Sequence, residues 1–282
     1  MPEPVVYLNG EFVPRSAACL DIEDRGALFA DGVYEVTRYY AGRPLAIDRH
    51  LKRLRLSLAA IQLDGGVLVE QLADAGNELV RRNGTPEAAV YWQVTRGPAP
   101  RMHVFPAQPR PTVLAIAYAV APVDPHRPVP ALKAILHEDQ RWANCCIKSL
   151  MLLPNVLAKN KAVAAGAHEA IFHRGDVITE GTSTNTFVVR GDTMHTHPAN
   201  QWILGGITRQ IVLELAQQEG IPVIEEAVTV AQLRSADEVI ITGSTTQVAA
   251  VTAVDGQAIG AGQPGPVAKR LHAAFLGLIS QC

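Results

Sequence analysis

The stretch of sequence that best indicates the fold is Arg141-Trp142-Ala143-Asn144-Cys145-Cys146-Ile147-Lys148-Ser149-Leu150. Its lysine, Lys148, stands between Ile147 and Leu150, and these apolar neighbours predict burial of the amine. A carboxylate, Glu180, follows in the small-residue segment 179–185. A lysine and a carboxylate in such settings indicate a Schiff-base site, because the amine can bond an aldehyde cofactor while the carboxylate keeps that cofactor's ring nitrogen protonated. The pair predicts pyridoxal 5'-phosphate and chemistry at a carbon that bears an amino group.

The composition is that of an ordinary globular protein. With 282 residues the chain can form one large domain or two modest ones, and its net charge of -2 gives no reason to expect nucleic acid or an anionic membrane as a partner. The first residues lack the basic start and long apolar run of a signal peptide. The four cysteines form no evident disulfide framework, which favours reduced thiols and a cytoplasmic location. Cys145 and Cys146 are interpreted as packing residues.

Strand and helix patterns alternate along the chain. Asn9-Gly10 predicts a hairpin turn between two short strands. Strands are predicted at 33–40, 88–95, 112–121, 131–136, 169–173, 186–190 and 238–242, and helices at 50–61, 67–82, 155–165, 208–218 and 267–279. The segment 121–130 has four prolines and no periodicity, which is typical of a linker. We therefore expect a mixed α/β (α+β) protein with domains at 1–120 and 131–282, the second carrying Lys148.

Two loops of small residues are candidate phosphate sites. Gly205-Gly206-Ile207-Thr208 precedes a predicted helix, and the unpaired amides at a helix start bind phosphate well. Gly243-Ser244 follows a predicted strand and offers a hydroxyl and amides of the same kind. The alternation His195-Thr196-His197 resembles a metal-binding pattern, but metal binding is not expected there.

A set of motifs in this order resembles the fold-type IV pyridoxal phosphate enzymes. The motifs are Asp24-Arg25-Gly26, Phe29-Ala30-Asp31-Gly32-Val33-Tyr34-Glu35, Ile147-Lys148-Ser149-Leu150, Thr179-Glu180-Gly181, Ser183-Thr184-Asn185 and Gly206-Ile207-Thr208-Arg209. The match runs from about Tyr7 to about Val254. The family includes branched-chain aminotransferases, D-amino acid aminotransferases and aminodeoxychorismate lyase, so the resemblance implies a two-domain fold of that type.

The resemblance also implies roles at the cofactor. Lys148 would be the Schiff-base lysine, which moves a proton between the substrate α-carbon and the cofactor carbon C4′, and Glu180 would pair with the ring nitrogen. Further cofactor contacts are implied for Arg53, Leu204, Ile207, Thr208 and Ser244, with Leu204 on the ring and the others at the phosphate. Arg141 and Asn185 are candidates for a supporting position behind these residues.

One segment resembles the D-amino acid aminotransferase subgroup. Gln93-Val94-Thr95-Arg96-Gly97 is followed by Arg101-Met102-His103, and the resemblance implies that Arg101, His103 and Tyr34 hold the substrate α-carboxylate. A guanidinium can pair with a carboxylate through two hydrogen bonds, which suits that role.

The resulting hypothesis is ping-pong transamination of D-amino acids, in which D-alanine and 2-oxoglutarate give pyruvate and D-glutamate. The alternatives are a branched-chain L-amino acid or (R)-amine transaminase, a lyase similar to aminodeoxychorismate lyase, and a non-catalytic cofactor carrier. The resemblance further implies a homodimer whose partners are small amino acids and 2-oxo acids.

Overall fold

The computed structural model describes residues 3–64 and 66–281. By its internal contacts the chain forms two compact units. The first contains the chain up to Pro122 together with the short segment Ile147–Met151. The second contains Val123–Cys146 and Leu152–Gln281. Lys148 therefore packs with the first unit, although it follows the proline-rich segment in the sequence.

An antiparallel sheet forms the centre of the first unit. Among the described residues its strands are β1 (Val5–Leu8), β2 (Glu11–Pro14), β3 (Gly32–Tyr40), β4 (Arg43–Pro44), β5 (Ala88–Thr95) and β6 (Thr112–Ala119). They are ordered β2-β1-β6-β5-β3-β4. Asn9 and Gly10 both have positive φ, at 49° and 99°, as the predicted tight turn between β1 and β2 requires.

Among the described residues of this unit the α-helices are α1 (Arg25–Phe29), α2 (Ile47–Ala60) and α3 (Gly66–Arg82). Helix α2 buries Leu51, Leu54 and Leu58 along one face, since residues three and four apart share a side of a helix. The same cluster contains Trp92 and Val94 of β5. The core thus lies between the sheet and these two long helices, and it fixes β3 and α2, which carry the site residues of this unit.

The second unit is built on a mixed sheet. Its strands in the described residues are β7 (Ala131–Glu138), β8 (Glu169–Arg174), β9 (Val177–Gly181), β10 (Asn185–Arg190), β11 (Thr193–Thr196), β12 (Val223–Ile224), β13 (Glu238–Gly243), β14 (Gln247–Val254) and β15 (Gln257–Ala258). The order is β12-β11-β10-β13-β14-β7-β8-β9, with β15 paired to β14. Strand β7 is parallel to both of its neighbours.

The helices of the second unit are α4 (Leu153–Ala164), α5 (Ile207–Gln218), α6 (Val230–Arg234) and α7 (Pro266–Ile279). Helix α5 buries Ile211, Val212 and Leu215, and α7 buries Leu271 and Phe275. The buried sides of both helices are the ones that the apolar spacing predicts. Within the described residues no helix combines the length and the apolar character that crossing a membrane requires.

The predicted α/β class is confirmed. Most predicted strands and helices lie within two or three residues of the observed ones, and α2 begins at Ile47, three residues before the predicted start of that helix. The strands predicted from the sequence do not include β14, a central strand.

Candidate active site

Lys148 lies against β3 in the first unit. The Tyr34 amide donates to the Lys148 carbonyl at 2.9 Å, and the Leu150 amide donates to the Gly32 carbonyl at 3.1 Å. The Lys148 amide in turn donates to the Ser57 hydroxyl on α2 at 3.3 Å. These bonds hold the lysine backbone at two points. The residue is half-buried, and its Nζ lies 4.2 Å from the centre of the Tyr34 ring. The structure thus brings together two of the predicted site residues, Lys148 and Tyr34.

Arg53 is held by a carboxylate that the sequence analysis gave no role. Its Nε and Nη2 donate to the two oxygens of Glu35 at 2.7 and 2.8 Å. His50 donates from Nδ1 to the same carboxylate at 2.7 Å. Burial alone would raise the pKa of Glu35, but Arg53 and His50 outweigh it and hold that pKa below its ordinary value. Glu35 is therefore ionised and fixes the direction of the arginine.

Arg101 and His103 lie on an exposed loop and contact Phe29. The Arg101 guanidinium is 5.4 Å from the centre of the Phe29 ring, and the His103 ring meets the same ring edge-on at 5.5 Å. Buried Arg25 donates to the Met102 carbonyl at 2.6 Å. The loop is therefore anchored to α1, and the ring contacts of both predicted carboxylate-binding residues are with Phe29 rather than with Tyr34.

Glu180 is a buried carboxylate in the second unit. Its Oε1 accepts from Arg141 at 2.7 Å, and its Oε2 accepts from the Asn185 side chain at 2.9 Å and the Leu204 amide at 3.0 Å. A carboxylate has about four lone-pair positions, so these donors leave one for a further N–H. Burial raises the pKa of Glu180 to about 7, against the opposite effects of Arg141 and the Leu204 amide. Such a group combines hydrogen-bond accepting capacity with high proton affinity.

Behind Glu180 lies a second carboxylate that the sequence analysis missed. Asp139 accepts from Nε and Nη2 of Arg141, both at 2.9 Å, and from Nε of Arg174 at 3.2 Å. Arg141 therefore lies between two carboxylates. An acid at the end of a strand is common on protein surfaces, so the local sequence gave no signal of this role.

The start of α5 contains a place where the backbone approaches a side chain closely. A Cβ added to Gly206 would lie 2.0 Å from Oδ1 of Asn185. Only glycine permits this approach, which brings the first turn of α5, with buried Ile207 and Thr208, beside Asn185 and Glu180. No side chain caps this helix start, and such amides are suited to a phosphate group.

The turn with Ser244 lies beside the same residues. Thr242 of β13 pairs with Asn185 of β10, and a Cβ added to Gly243 would come within 3.1 Å of the Ser183 carbonyl. The Thr242 hydroxyl is buried and has no hydrogen-bond partner among the described residues. The second unit thus gathers Glu180, Leu204, Ile207, Thr208 and Ser244.

The two cysteines near Lys148 differ in exposure. Cys145 is buried, and its thiol donates to the Trp142 carbonyl at 3.3 Å. Burial raises the pKa of Cys145 to about 11, so its thiol stays protonated and unreactive near neutral pH. Cys146 is exposed, so its interpretation as a packing residue is wrong, whereas that of Cys145 holds. Cys282 lies outside the described residues.

A family model described as Amino-transferase class IV matches residues 32–254. The chain belongs to this family. The resemblance inferred from the motifs is therefore confirmed, and the matched region includes all of the predicted site residues from both units.

Relatives of this class IV amino-transferase match its sequence over almost the whole length. A D-alanine aminotransferase from Staphylococcus haemolyticus is 42% identical over 275 residues, which is 96% of each chain. One from Bacillus licheniformis is 44% identical over 270 residues, covering 96% of this chain and 95% of the relative.

Solved structures of branched-chain amino acid aminotransferases have the same fold. The branched-chain amino acid aminotransferase of Escherichia coli aligns with a TM-score of 0.89 at 25% identity, covering 98% of this chain and 95% of that one. A T.th. branched-chain amino acid aminotransferase with pyridoxamine 5'-phosphate aligns with a TM-score of 0.89 at 28% identity, covering 100% and 95%.

Proposed function

We propose that this protein is a pyridoxal 5'-phosphate-dependent aminotransferase of D-amino acids, converting D-alanine and 2-oxoglutarate to pyruvate and D-glutamate. The assignment of D-amino acids as substrates rests on the 42% identity over 275 residues to a D-alanine aminotransferase. The solved branched-chain aminotransferases are similar in fold but only 25% and 28% identical. A branched-chain L-amino acid is therefore the second candidate substrate.

The side chains fit the proposed cofactor in three respects. The amine of half-buried Lys148 can bond an aldehyde. Glu180 has a lone-pair position for a ring N–H beyond its bonds to Arg141, Asn185 and Leu204. The uncapped start of α5 and the buried Thr242 hydroxyl, which has no partner among the described residues, supply donors for a phosphate. We assign the phosphate to Ile207, Thr208, Ser244 and Arg53, and the ring face to Leu204.

When bound, pyridoxal 5'-phosphate would supply an aldehyde for the substrate amine and a ring that draws electrons from the α-carbon. Lys148 would remove the proton from the substrate α-carbon and deliver it to the cofactor carbon C4′. The Tyr34 ring centre lies 4.2 Å from the lysine amine and limits the directions in which the amine can move. Glu180 would keep the ring nitrogen protonated, because its carboxylate can accept the ring N–H at the lone-pair position that Arg141, Asn185 and Leu204 leave.

We assign the substrate α-carboxylate to Arg101, His103 and Tyr34. Arg101 and His103 contact the same ring of Phe29, so one aromatic side chain sets the positions of both donors. A guanidinium and an imidazole held in this way are suited to a carboxylate, and they make no demand on the substrate side chain.

A visible absorption spectrum of the purified protein tests the cofactor and the substrate together. We expect a violet band from the lysine-bound cofactor, which D-alanine should convert to the band of pyridoxamine phosphate. L-alanine and L-leucine should leave the spectrum nearly unchanged. Lys148→Ala should abolish the violet band, whereas Lys133→Ala, at an exposed lysine on β7, should leave it intact.

Other outcomes would reject particular parts of the proposal. Conversion by L-leucine but not D-alanine would reject the D-amino acid assignment and favour the branched-chain alternative. Pyruvate release without any amino acceptor would indicate a lyase. A violet band that no amine changes would indicate a non-catalytic cofactor carrier.

We also propose that the protein forms a homodimer. Helix α4 exposes Leu153, Val156 and Leu157 by 68%, 51% and 55%, and such an apolar group on one helix face is typical of a surface that another chain covers. Light scattering on a sizing column should give twice the chain mass. The double substitution Val156→Glu and Leu157→Glu should shift the protein towards monomer, and an unchanged mass would exclude this face as the interface.

A further inference from the structure

Asp139 is placed to control how Arg141 binds Glu180. It lies just after β7, and its side chain has no exposed surface. The Asp139 carboxylate accepts from the Arg141 amide at 3.1 Å, and from Nε and Nη2 of the same arginine at 2.9 Å each. Asp139 therefore occupies the Nε/Nη2 edge of the guanidinium, one of the two edges that suit a two-bond pair with a carboxylate, and holds Arg141 so that Nη1 alone donates to Glu180.

Because of this arrangement, Arg141 makes a single hydrogen bond to Glu180. Its Nη1 donates to Oε1 at 2.7 Å. If Arg141 turned its Nε/Nη2 edge towards Glu180, the Glu180 carboxylate would accept two bonds from Arg141 as well as those from Asn185 and Leu204. All of its roughly four lone-pair positions would then be used, and none would remain for a ring nitrogen.

Asp139 is itself fixed by groups from other strands. Arg174 on β8 donates to its Oδ2 at 3.2 Å, and the Thr179 hydroxyl on β9 donates to the same oxygen at 3.2 Å. Arg174 also donates to the Arg141 carbonyl at 2.8 Å. The aspartate is thus held in place independently of Glu180, as a residue that positions Arg141 must be.

We propose that Asp139 is a positioning residue, which restricts Arg141 to one bond on Glu180 and so keeps the last lone-pair position of Glu180 available for the cofactor's ring N–H. The inference rests on the proposed function only for the identity of that N–H donor. The effect of Asp139 on Glu180 is a property of the chain alone.

The charges around Glu180 support the same role. Ionisable groups that act on Glu180 include Asp139, Arg141 and Cys145, and Arg174 acts on Asp139. Cys145 is a neutral thiol, since burial raises its pKa to about 11. Burial opposes ionisation of Asp139 as well, but Arg141 and Arg174 outweigh it and lower its pKa. Asp139 is therefore an anion, which offsets part of the Arg141 charge and adds to the proton affinity of Glu180.

Asp139→Asn tests the inference on the cofactor-free protein. The isosteric amide removes the charge, so the Arg141 guanidinium should turn to Glu180 and lower its pKa by at least about one pH unit. Difference infrared spectroscopy can follow the Glu180 carboxyl band across a pH titration, with Glu180→Gln used to assign the band. Asp255→Asn is the matched control, because Asp255 pairs with Arg234 rather than with Arg141.

A second readout concerns the cofactor. In Asp139→Asn the dissociation constant for pyridoxal 5'-phosphate should rise about tenfold, the equivalent of one hydrogen bond to a charged group, and Asp139→Glu should recover part of the affinity. The Asp255 variant should retain the original value.

Two results would overturn the inference. One is a folded Asp139→Asn protein whose Glu180 titrates as in the original chain. The other is a variant in which the Glu180 pKa falls while cofactor affinity stays the same, because positioning would then have no consequence.

If Asp139→Asn does not fold, Thr179→Val removes one donor to Asp139 and should lower the Glu180 pKa by a smaller amount. An unchanged Glu180 titration in that variant would also overturn the role of Asp139. If the original chain binds no cofactor, the proposed function fails, whereas the infrared titration still decides the role of Asp139.

Discussion

Glu35 holds Arg53 by two parallel hydrogen bonds, from Nε at 2.7 Å and from Nη2 at 2.8 Å. The Glu35 side chain has no exposed surface, and that of Arg53 is 11% exposed. An arginine fixed in this way points in one direction without needing a ligand to order it. The bond pair thus prepares Arg53 for an anion, which is the role proposed for it at the cofactor phosphate.

Glu35→Gln should impair both stability and cofactor binding. It leaves the largely buried Arg53 without its counter-charge, and breaking a buried pair typically costs about 3 to 5 kcal/mol of the free energy of unfolding. Urea denaturation of the cofactor-free protein measures this cost, and a fluorescence titration with pyridoxal 5'-phosphate measures the affinity. Glu78→Gln is the control, since Glu78 pairs with exposed arginines on α3 and should change neither quantity appreciably. Unchanged cofactor affinity in a folded Glu35→Gln protein would exclude the proposed role of Arg53.

The raised pKa of Glu180 predicts a pH dependence of stability in the cofactor-free protein. Its folded pKa is about 7 and its ordinary value is 4.5, so between these pH values the folded state holds a proton that the unfolded state has lost. The contribution of Glu180 to stability is therefore greatest below about pH 4.5 and is lost as the pH rises through 7.

Glu180→Gln should remove this dependence. Melting temperatures of the two proteins can be compared from pH 5 to pH 8. The melting temperature of the variant should rise relative to that of the original chain as the pH rises, because the variant's amide does not titrate. A constant difference between the two proteins across the range would show that Glu180 titrates as an ordinary carboxylate.

The local sequence determined much of the fold but less of the site. The Asn9-Gly10 turn and the apolar face of α2 could be predicted because turn residues and helical spacing act over a few residues. Lys148 was found because apolar neighbours and family motifs surround it. The packing of its segment against β3 could not be predicted, since that contact joins residues more than 100 positions apart.

The partners of the site residues were missed for the same reason. Glu35 was quoted within a motif but given no role, because its pairing with Arg53 depends on how α2 packs on β3. Asp139 gained its role only when β7, β8 and β9 brought Arg174 and Thr179 beside it. Sequence patterns report which side of an element is buried, whereas these ion pairs depend on the arrangement of several elements.

Gly206→Ala should weaken cofactor binding without an equal loss of stability. The added Cβ would lie 2.0 Å from Oδ1 of Asn185, so either Asn185 or the first turn of α5 must move. Asn185 would then lose its hydrogen bond to Glu180, and the amides of α5 would shift away from their phosphate position. We expect cofactor affinity to fall at least about tenfold, the equivalent of one charged hydrogen bond, as measured by fluorescence titration. Gly277→Ala on α7 is the control, because its Cβ would meet nothing within 4 Å, and equal effects of the two substitutions would count against a specific role of Gly206.

Phe29→Leu should separate substrate binding from cofactor binding. Phe29 contacts both Arg101 and His103, and leucine removes the aromatic ring while leaving both side chains present. The two proposed carboxylate donors should then be less well ordered, so the KM for D-alanine should rise several-fold while the cofactor spectrum stays the same.

Arg101→Ala should lower kcat/KM for D-alanine more than Phe29→Leu does, on the order of 10- to 100-fold, because a hydrogen bond to a charged group is worth about 1.5 to 3 kcal/mol. Steady-state kinetics over a series of D-alanine concentrations measures both. If Arg101→Ala leaves kcat/KM for D-alanine unchanged, the carboxylate must bind elsewhere, and the D-amino acid assignment loses its proposed structural basis.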